Sequence, residues 1–153
     1  VMLQKGYDAV CYCDILGHAQ QKRNTFWHKV YKHLQGILLN RPTHVYDYSK
    51  HYKELIGEID KDENVIPQIV PQWDHSPRGG RKTNMYIHST PEYFAKHVRM
   101  AMEAIKGKKE EHQILMLKSW NEWAEGNYME PDMTHGRGYI DALRQVVDEY
   151  KKR

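Results

Sequence analysis

The chain has 153 residues, 40% of them hydrophobic and 28% charged, and 23 Lys plus Arg against 20 Asp plus Glu give a formal net charge of +3. That composition fits one soluble globular domain and excludes a membrane-spanning helix, since no stretch approaches about 18 consecutive apolar residues. The basic stretches from Arg78 to Lys82 and from Lys106 to Lys109 are short and the remaining charges alternate in sign, so no nucleic-acid partner is expected.

Val1 ahead of Met2 fits an internal piece of a longer chain, and the opening residues carry neither the basic nor the apolar region of a signal peptide. A cytoplasmic location is the resulting expectation. The first expected strand, Tyr7 to Cys13, contains Cys11 and Cys13 on one face as reduced core thiols; two cysteines cannot make a disulfide framework, and no spacing here builds a zinc site. A helix follows from Asn24 to Leu34, with Phe26, Trp27, Val30, Tyr31 and Leu34 as its buried stripe and Gly36 as its stop. Thr43 to Tyr48 reads as the second strand, followed by a helix from Ser49 through Ile59 with Tyr52, Leu55, Ile56 and Ile59 inward. Val65 to Trp73 is the third, then a polar loop from Asp74 to Ser89. The next helix carries the fullest set of signals: Thr90 as N-cap, Pro91 at the first helical position, Phe94, Val98, Ala101, Met102 and Ile105 inward, and Gly107 at the end. Ile114 to Trp120 is the fourth strand, and Tyr139 to Tyr150 the last helix, with Ile140, Leu143, Val146 and Val147 on its inner face.

Strand and helix alternate four times, which predicts the α/β class with a parallel sheet and helices packed outside it. Four units in 153 residues is about 38 each, too few for a complete eight-stranded barrel of about 250 residues. An open doubly wound sheet and one half of a barrel both fit. In either architecture the chemistry gathers just after the strands.

Lys118 to Asp132 places Glu122, Glu125, Glu130 and Asp132 among Trp120, Trp123 and Tyr128 at a strand exit. Two acids three residues apart there can face one cavity. Tryptophan walls divide such a pair into proton donor and base, a division that sugar chemistry uses. Trp120, Trp123 and Tyr128 can stack on the apolar faces of sugar rings. The structural alternative is a solvated acidic first turn with core tryptophans. A second constellation runs from Pro67 to Arg78 and offers Trp73, Asp74, His75 and Arg78 above the sheet. Its alternative is a proline-stiffened loop closed by an ion pair between Asp74 and Arg78. Tyr46, Asp47 and Tyr48 end the second strand and can add to the same rim.

The run from Ser119 to Gly126, continued by Tyr128 to Asp132, resembles the W-N-E-W-A-E-G-x-Y-L-E-P-D motif of the WbsX-type proteins, a glycoside hydrolase family 99-like domain of bacterial polysaccharide gene clusters. Pro71 to Arg78 is similar to P-G-W-D-N-T-P-R of the same family, and Gly6 to Val10 to a G-F-D-A stretch. The order holds from about residue 6 to about residue 145, and the family's domain is about twice as long. The resemblance therefore implies a single domain, residues 1–153, that is the C-terminal half of a (β/α)8 barrel.

It also implies roles. In the related endo-α-mannosidases the first glutamate of the motif assists the sugar's 2-hydroxyl and the second is general acid, then base; by position these are Glu122 and Glu125. Trp73, Asp74, Arg78 and Glu130 would bind sugar hydroxyls, with Asn121 of the motif beside them. Ala124 stands where the mannosidases carry His, His75 where the motif carries Asn, and Gln72 where it carries Gly. The expected function is cleavage or remodelling of glycosidic bonds in a bacterial surface polysaccharide, without metal or cofactor. Glycosyl transfer and non-catalytic carbohydrate binding are the alternatives. Asp60-Lys61-Asp62, which matches a transferase's metal-holding Asp-x-Asp literally, precedes a strand and reads as a solvated turn. The expected partner is an oligosaccharide or polysaccharide, with a homodimer or a missing N-terminal half to cover the open edge.

Overall fold

A computed structural model of the protein describes residues 5–11, 26–39, 44–80 and 83–152. It is an α/β structure in which three strand pairs are parallel. β1 (Val10–Cys11) pairs with β3 (Val65–Ile66), β2 (His44–Asp47) with β5 (Asn84–Ile87), and β4 (Gln68–Ile69) with β6 (Met116–Leu117). β7 (Asn121–Glu122) and β8 (Asn127–Tyr128) form an antiparallel pair. The described strands close no barrel.

The expected third strand is divided by its own sequence. Pro67, between β3 and β4, has no N–H to give to a ladder, and the halves pair with different neighbours, β3 with β1 and β4 with β6. The backbone links run on past the strand ends, Met116 N to the Pro67 carbonyl and Lys118 N to the Ile69 carbonyl, each at 2.9 Å. The first, third and fourth expected strands thus stand side by side, with the third in the centre. The second does not join them. It pairs with β5, which lies inside the stretch expected to be loop. Tyr86 donates its N–H to the Trp73 carbonyl at 2.7 Å and so ties this pair to the end of the central strand.

Two helices match their sequence signals. α4 (Pro91–Ile105) starts at Thr90, whose hydroxyl accepts the Tyr93 N–H, and buries Phe94, Val98, Ala101 and Ile105 as its pattern requires. α5 (Gly138–Lys151) packs on α4, and Tyr139, Ala142 and Val146 join Phe94, Val98, Ala101, Ile69 and Met129 in one apolar cluster. Ile140, Leu143 and Val147 are only partly buried, because the contact face of α5 is centred on Val146.

The other two helices depart from expectation. α1 (Phe26–Leu39) runs through Gly36, since one glycine costs a helix only about 1 kcal/mol. Phe26 and Trp27 of its stripe are 71% and 78% exposed, and Tyr31 and Leu34 also face solvent. The helix expected from Ser49 to Ile59 is α2 (Tyr48–His51) followed by two short 3-10 turns, and Ile59 is exposed. Asp60 is not solvated. It is buried, and its carboxylate accepts the Gly57 N–H at 2.8 Å to close the second of those turns. Cys11 is partly buried; Cys13 lies outside the described residues.

A second core is built from tyrosines: Tyr46, Tyr48, Tyr52 and Tyr86 around Val70. The Tyr48 hydroxyl donates to the Val70 carbonyl at 2.7 Å and lies 2.9 Å from Nδ1 of His97, a fully buried residue of α4. Burial pushes the His97 imidazole down to about 4, so it is neutral at pH 7. The adjacent residues Ile69 and Val70 lead into the two cores, and the chain then leaves the sheet at Trp73.

Candidate active site

The site stands where the central strand and the fourth strand leave the sheet. Beyond β7 the chain makes a 3-10 turn, Trp123–Glu125, and Gly126 closes it with φ of 51°, a left-handed conformation that glycine takes without strain. Gly126 also lets the central strand's exit come close: a Cβ on it would lie 3.2 Å from the Asp74 Cβ. Asp74 N–H donates to the Glu125 carbonyl at 2.8 Å, which joins the two exits through backbone. Asn127, almost fully buried, donates from Nδ2 to the Gln72 carbonyl at 2.6 Å, and the Ser119 hydroxyl donates to the Asn127 carbonyl at 2.6 Å.

That frame brings Glu122 and Glu125 to one cation. Arg78 projects from α3 (Ser76–Gly79), and its Nη2 donates to Glu122 Oε1 at 3.1 Å while Nη1 donates to Glu125 Oε1 at 3.2 Å. The two carboxylates differ in their surroundings. The Glu125 side chain is 15% exposed and Glu122 40%. Glu125 also accepts the Trp73 indole N–H on Oε2 at 3.2 Å, and His75 Nδ1 lies 3.2 Å from Oε1. Trp73 is sandwiched in turn, with the Lys118 ammonium 4.8 Å above its ring and the His75 ring edge-on at 6.1 Å.

Beside the pair lies an aromatic platform. Trp123 stacks on Tyr128 with centroids 3.7 Å apart and planes 14° from parallel. The Trp123 indole N–H donates to Glu130 Oε2 at 2.6 Å. Burial, assisted by the negative charge of Asp132, raises the Tyr128 phenol above its ordinary value, so it is a neutral hydroxyl. Asp132 itself is held low, against the effect of burial, by the backbone N–H groups of His135 and Thr134.

Several expected side chains are thereby placed. Glu122, Glu125, Trp73 and Arg78 share one cluster, and Trp123, Tyr128 and Glu130 share another. Arg78 bridges the glutamates instead of pairing with Asp74, whose Oδ1 accepts the Ser76 N–H at 2.9 Å in a local turn. One oxygen of Glu130 is already engaged by Trp123. Trp120 and Asn121 are exposed at the β7 end, and no ring contact or side-chain hydrogen bond joins either to the glutamates. Tyr46 and Tyr48 are core, whereas Asp47 binds Ser49 and lies 3.2 Å from His88. Among the described residues no three metal-ligating side chains converge. Sequence reasoning gave no role to Lys118 or Ser119, although both stand in the stretch it singled out.

An α/β chain that gathers two carboxylates, an arginine and stacked aromatics at its strand exits has the make-up of a carbohydrate-handling protein. The model of one family, described as glycosyltransferase WbsX, matches residues 2–143, and the chain belongs to that family. It is similar to two proteins of Xanthomonas campestris pv. campestris, each described as uncharacterized protein WxcX. The one from strain B100 is 29% identical over 104 residues, and the one from strain ATCC 33913 is 32% identical over 101 residues. Those matches cover 67% and 63% of this chain but only 15% and 14% of the relatives' length. No solved structure matches significantly. Among the described residues no helix is long and apolar enough to cross a membrane.

Proposed function

We propose that the protein is a glycosidase-like enzyme acting on a bacterial surface polysaccharide, and that Glu122 and Glu125 are its acid/base pair. The observation that carries this reading is the bridge made by Arg78, whose two terminal nitrogens reach one carboxylate each and so direct both toward a common space. In the proposed reaction Glu122 takes the proton of the sugar's 2-hydroxyl as that oxygen closes on the anomeric carbon. Glu125 gives its proton to the departing oxygen and then takes one from the water that reopens the intermediate, while Glu122 returns its proton to the 2-oxygen as that oxygen leaves the anomeric carbon. Trp73, Asp74, Arg78, Asn121 and Glu130 are the proposed hydroxyl-binding residues, and Trp120, Trp123 and Tyr128 the stacking surfaces. The fold belonging to this reading is the C-terminal part of a (β/α)8 barrel, with the adjacent parallel strands of the first, third and fourth units as staves and the second strand, which pairs with β5 instead, outside them.

The test is Glu125→Gln, which keeps the shape of the side chain and removes its acid. Turnover of oligosaccharides from a surface polysaccharide should be lost while the fold and oligosaccharide binding persist; undiminished turnover would end the assignment. Glycosyl transfer is the second reading, favoured by the family's description. Titrating a nucleotide sugar by calorimetry, with and without a divalent metal, separates the two: only a transferase should bind it. Binding of oligosaccharide with no turnover of either kind would leave a carbohydrate-binding module.

A further inference from the structure

Lys118 follows β6 directly, at the exit of the fourth strand, and its N–H donates to the Ile69 carbonyl of the central strand at 2.9 Å. Its side chain is half-buried and sets the ammonium 4.8 Å from the centre of the Trp73 ring. The same indole donates its N–H to Glu125, so Lys118 and Glu125 contact one side chain. An ammonium carries three donors, and an aromatic face attracts its charge without accepting them as an oxygen would. Glu122, Glu125, Glu130 and Asp132 all follow closely in the chain, yet none of them pairs with it. The first two are taken by Arg78, Glu130 by the Trp123 indole, and Asp132 by the N–H groups of Thr134 and His135. Two other lysines lie over aromatic rings among the described residues, Lys53 over Tyr52 and Lys96 over Tyr93, and both are exposed on helical turns where water solvates them. Lys118 is instead partly withdrawn from water at the strand exits, where an uncompensated charge is costly until an anion meets it.

We propose that Lys118 is a specificity-determining residue whose ammonium, held on the Trp73 face, binds the carboxylate of an acidic sugar. The substrate is then an acidic saccharide, one that carries uronic acid units. Arg78 is the other cation of the cluster, and its two terminal nitrogens already reach the glutamates. Lys118 is the one left with donors to offer. The ring contact restricts where the ammonium moves, so less side-chain freedom is lost on binding than for a lysine in open water. A carboxylate meeting it makes a charge-assisted hydrogen bond, and a neutral sugar in the same place leaves the ammonium without its partner. This assignment rests on the proposed carbohydrate reading and narrows its substrate class.

The experiment titrates the whole chain by calorimetry with oligosaccharides of galacturonate, glucuronate and mannuronate. Each is paired with the same oligosaccharide after carboxyl reduction, which turns every carboxylate into a neutral hydroxymethyl group. At least one acid form should bind about tenfold or more tightly than its reduced partner, the yield of one charge-assisted hydrogen bond. Lys118→Gln should bring the acid form of that pair to the affinity of the reduced one, with binding of the reduced form unchanged. Lys118→Arg should keep a preference for the acid. If the Gln variant does not fold, Lys118→Met takes its place, since it keeps an unbranched stem on the indole without the charge. Equal binding of acid and reduced forms by the wild type, or an undiminished preference in the neutral variants, would overturn the proposal and leave the carbohydrate reading standing. Absence of binding by every ligand would remove both.

Discussion

At the scale of single residues the site depends on Arg78. It is the only cation that hydrogen-bonds both glutamates among the described residues, and it comes from 44 positions before Glu122 and 47 before Glu125. Local sequence could therefore single it out but not say where it reaches. Its nearest acid along the chain is Asp74, and that is the partner a local reading supplies. The glutamates were legible because strand exit, spacing and indoles lie within a few residues of one another. Arg78→Gln removes the charge that lets two carboxylates face one space. Turnover should fall by about 10²-fold or more, the typical cost of losing one preorganised electrostatic contact, and kinetics on the substrate that Glu125→Gln binds but does not turn over would measure it. Gly126 is the second such position. Gly126→Ala places a Cβ at positive φ and against Asp74, for a cost of about 1–2 kcal/mol from the left-handed conformation. A lower melting temperature is the expected result, with reduced activity as the two strand exits are forced apart.

At the scale of elements, α4 shows what a sequence can specify alone. Thr90, Pro91 and the stripe from Phe94 to Ile105 agree on one helix and one buried face, and the structure has both. β5 shows the opposite. Asn84 to Ile87 lies in a polar stretch and becomes a strand because β2 offers a parallel edge and Trp73 a carbonyl, neither of which local periodicity contains. His97 on α4 gives this element a pH dependence. Its imidazole titrates at about 4 when folded, against 6.5 ordinarily, because burial disfavours the charge. Between those values the unfolded chain binds a proton that the folded one refuses, so stability is complete above pH 6.5 and falls as pH drops toward 4. The difference is about 3 kcal/mol. Urea unfolding at pH 7, 5 and 4 should show that decline, and the same series for His97→Gln should lack it, so that the difference between the two isolates the His97 contribution. Asp47, held at about 2 by Ser49, His88 and Lys50 against the effect of burial, acts in a lower window and does not confuse the comparison. Tyr48→Phe tests the same junction from the first residue of α2. It leaves the Val70 carbonyl without the Tyr48 hydroxyl and should cost about 1–3 kcal/mol.

At the scale of the whole molecule, two helices with similar apolar stripes meet different fates. Phe26, Trp27, Tyr31 and Leu34 repeat at the same helical spacing that puts Phe94, Val98, Ala101 and Ile105 into the core, yet all four are exposed. Periodicity fixes which side of a helix is apolar; what lies opposite decides whether that side is buried. With that stripe in solvent, a 14-residue helix leans more heavily on its own backbone bonds and propensity, and in water isolated helices of that length are marginal. Hydrogen exchange should therefore grade the molecule. Amides of α4 around Val98 and Ala101 should exchange last, through global opening, and those of α1 orders of magnitude sooner, through local opening alone. Strong protection of α1 would mean that its stripe is covered in solution. A second copy is the cover that dilution can remove, so the same exchange measured across a concentration series, with light scattering for mass, separates self-association from a helix packed on its own chain: the first loses its protection as the protein is diluted and the second keeps it.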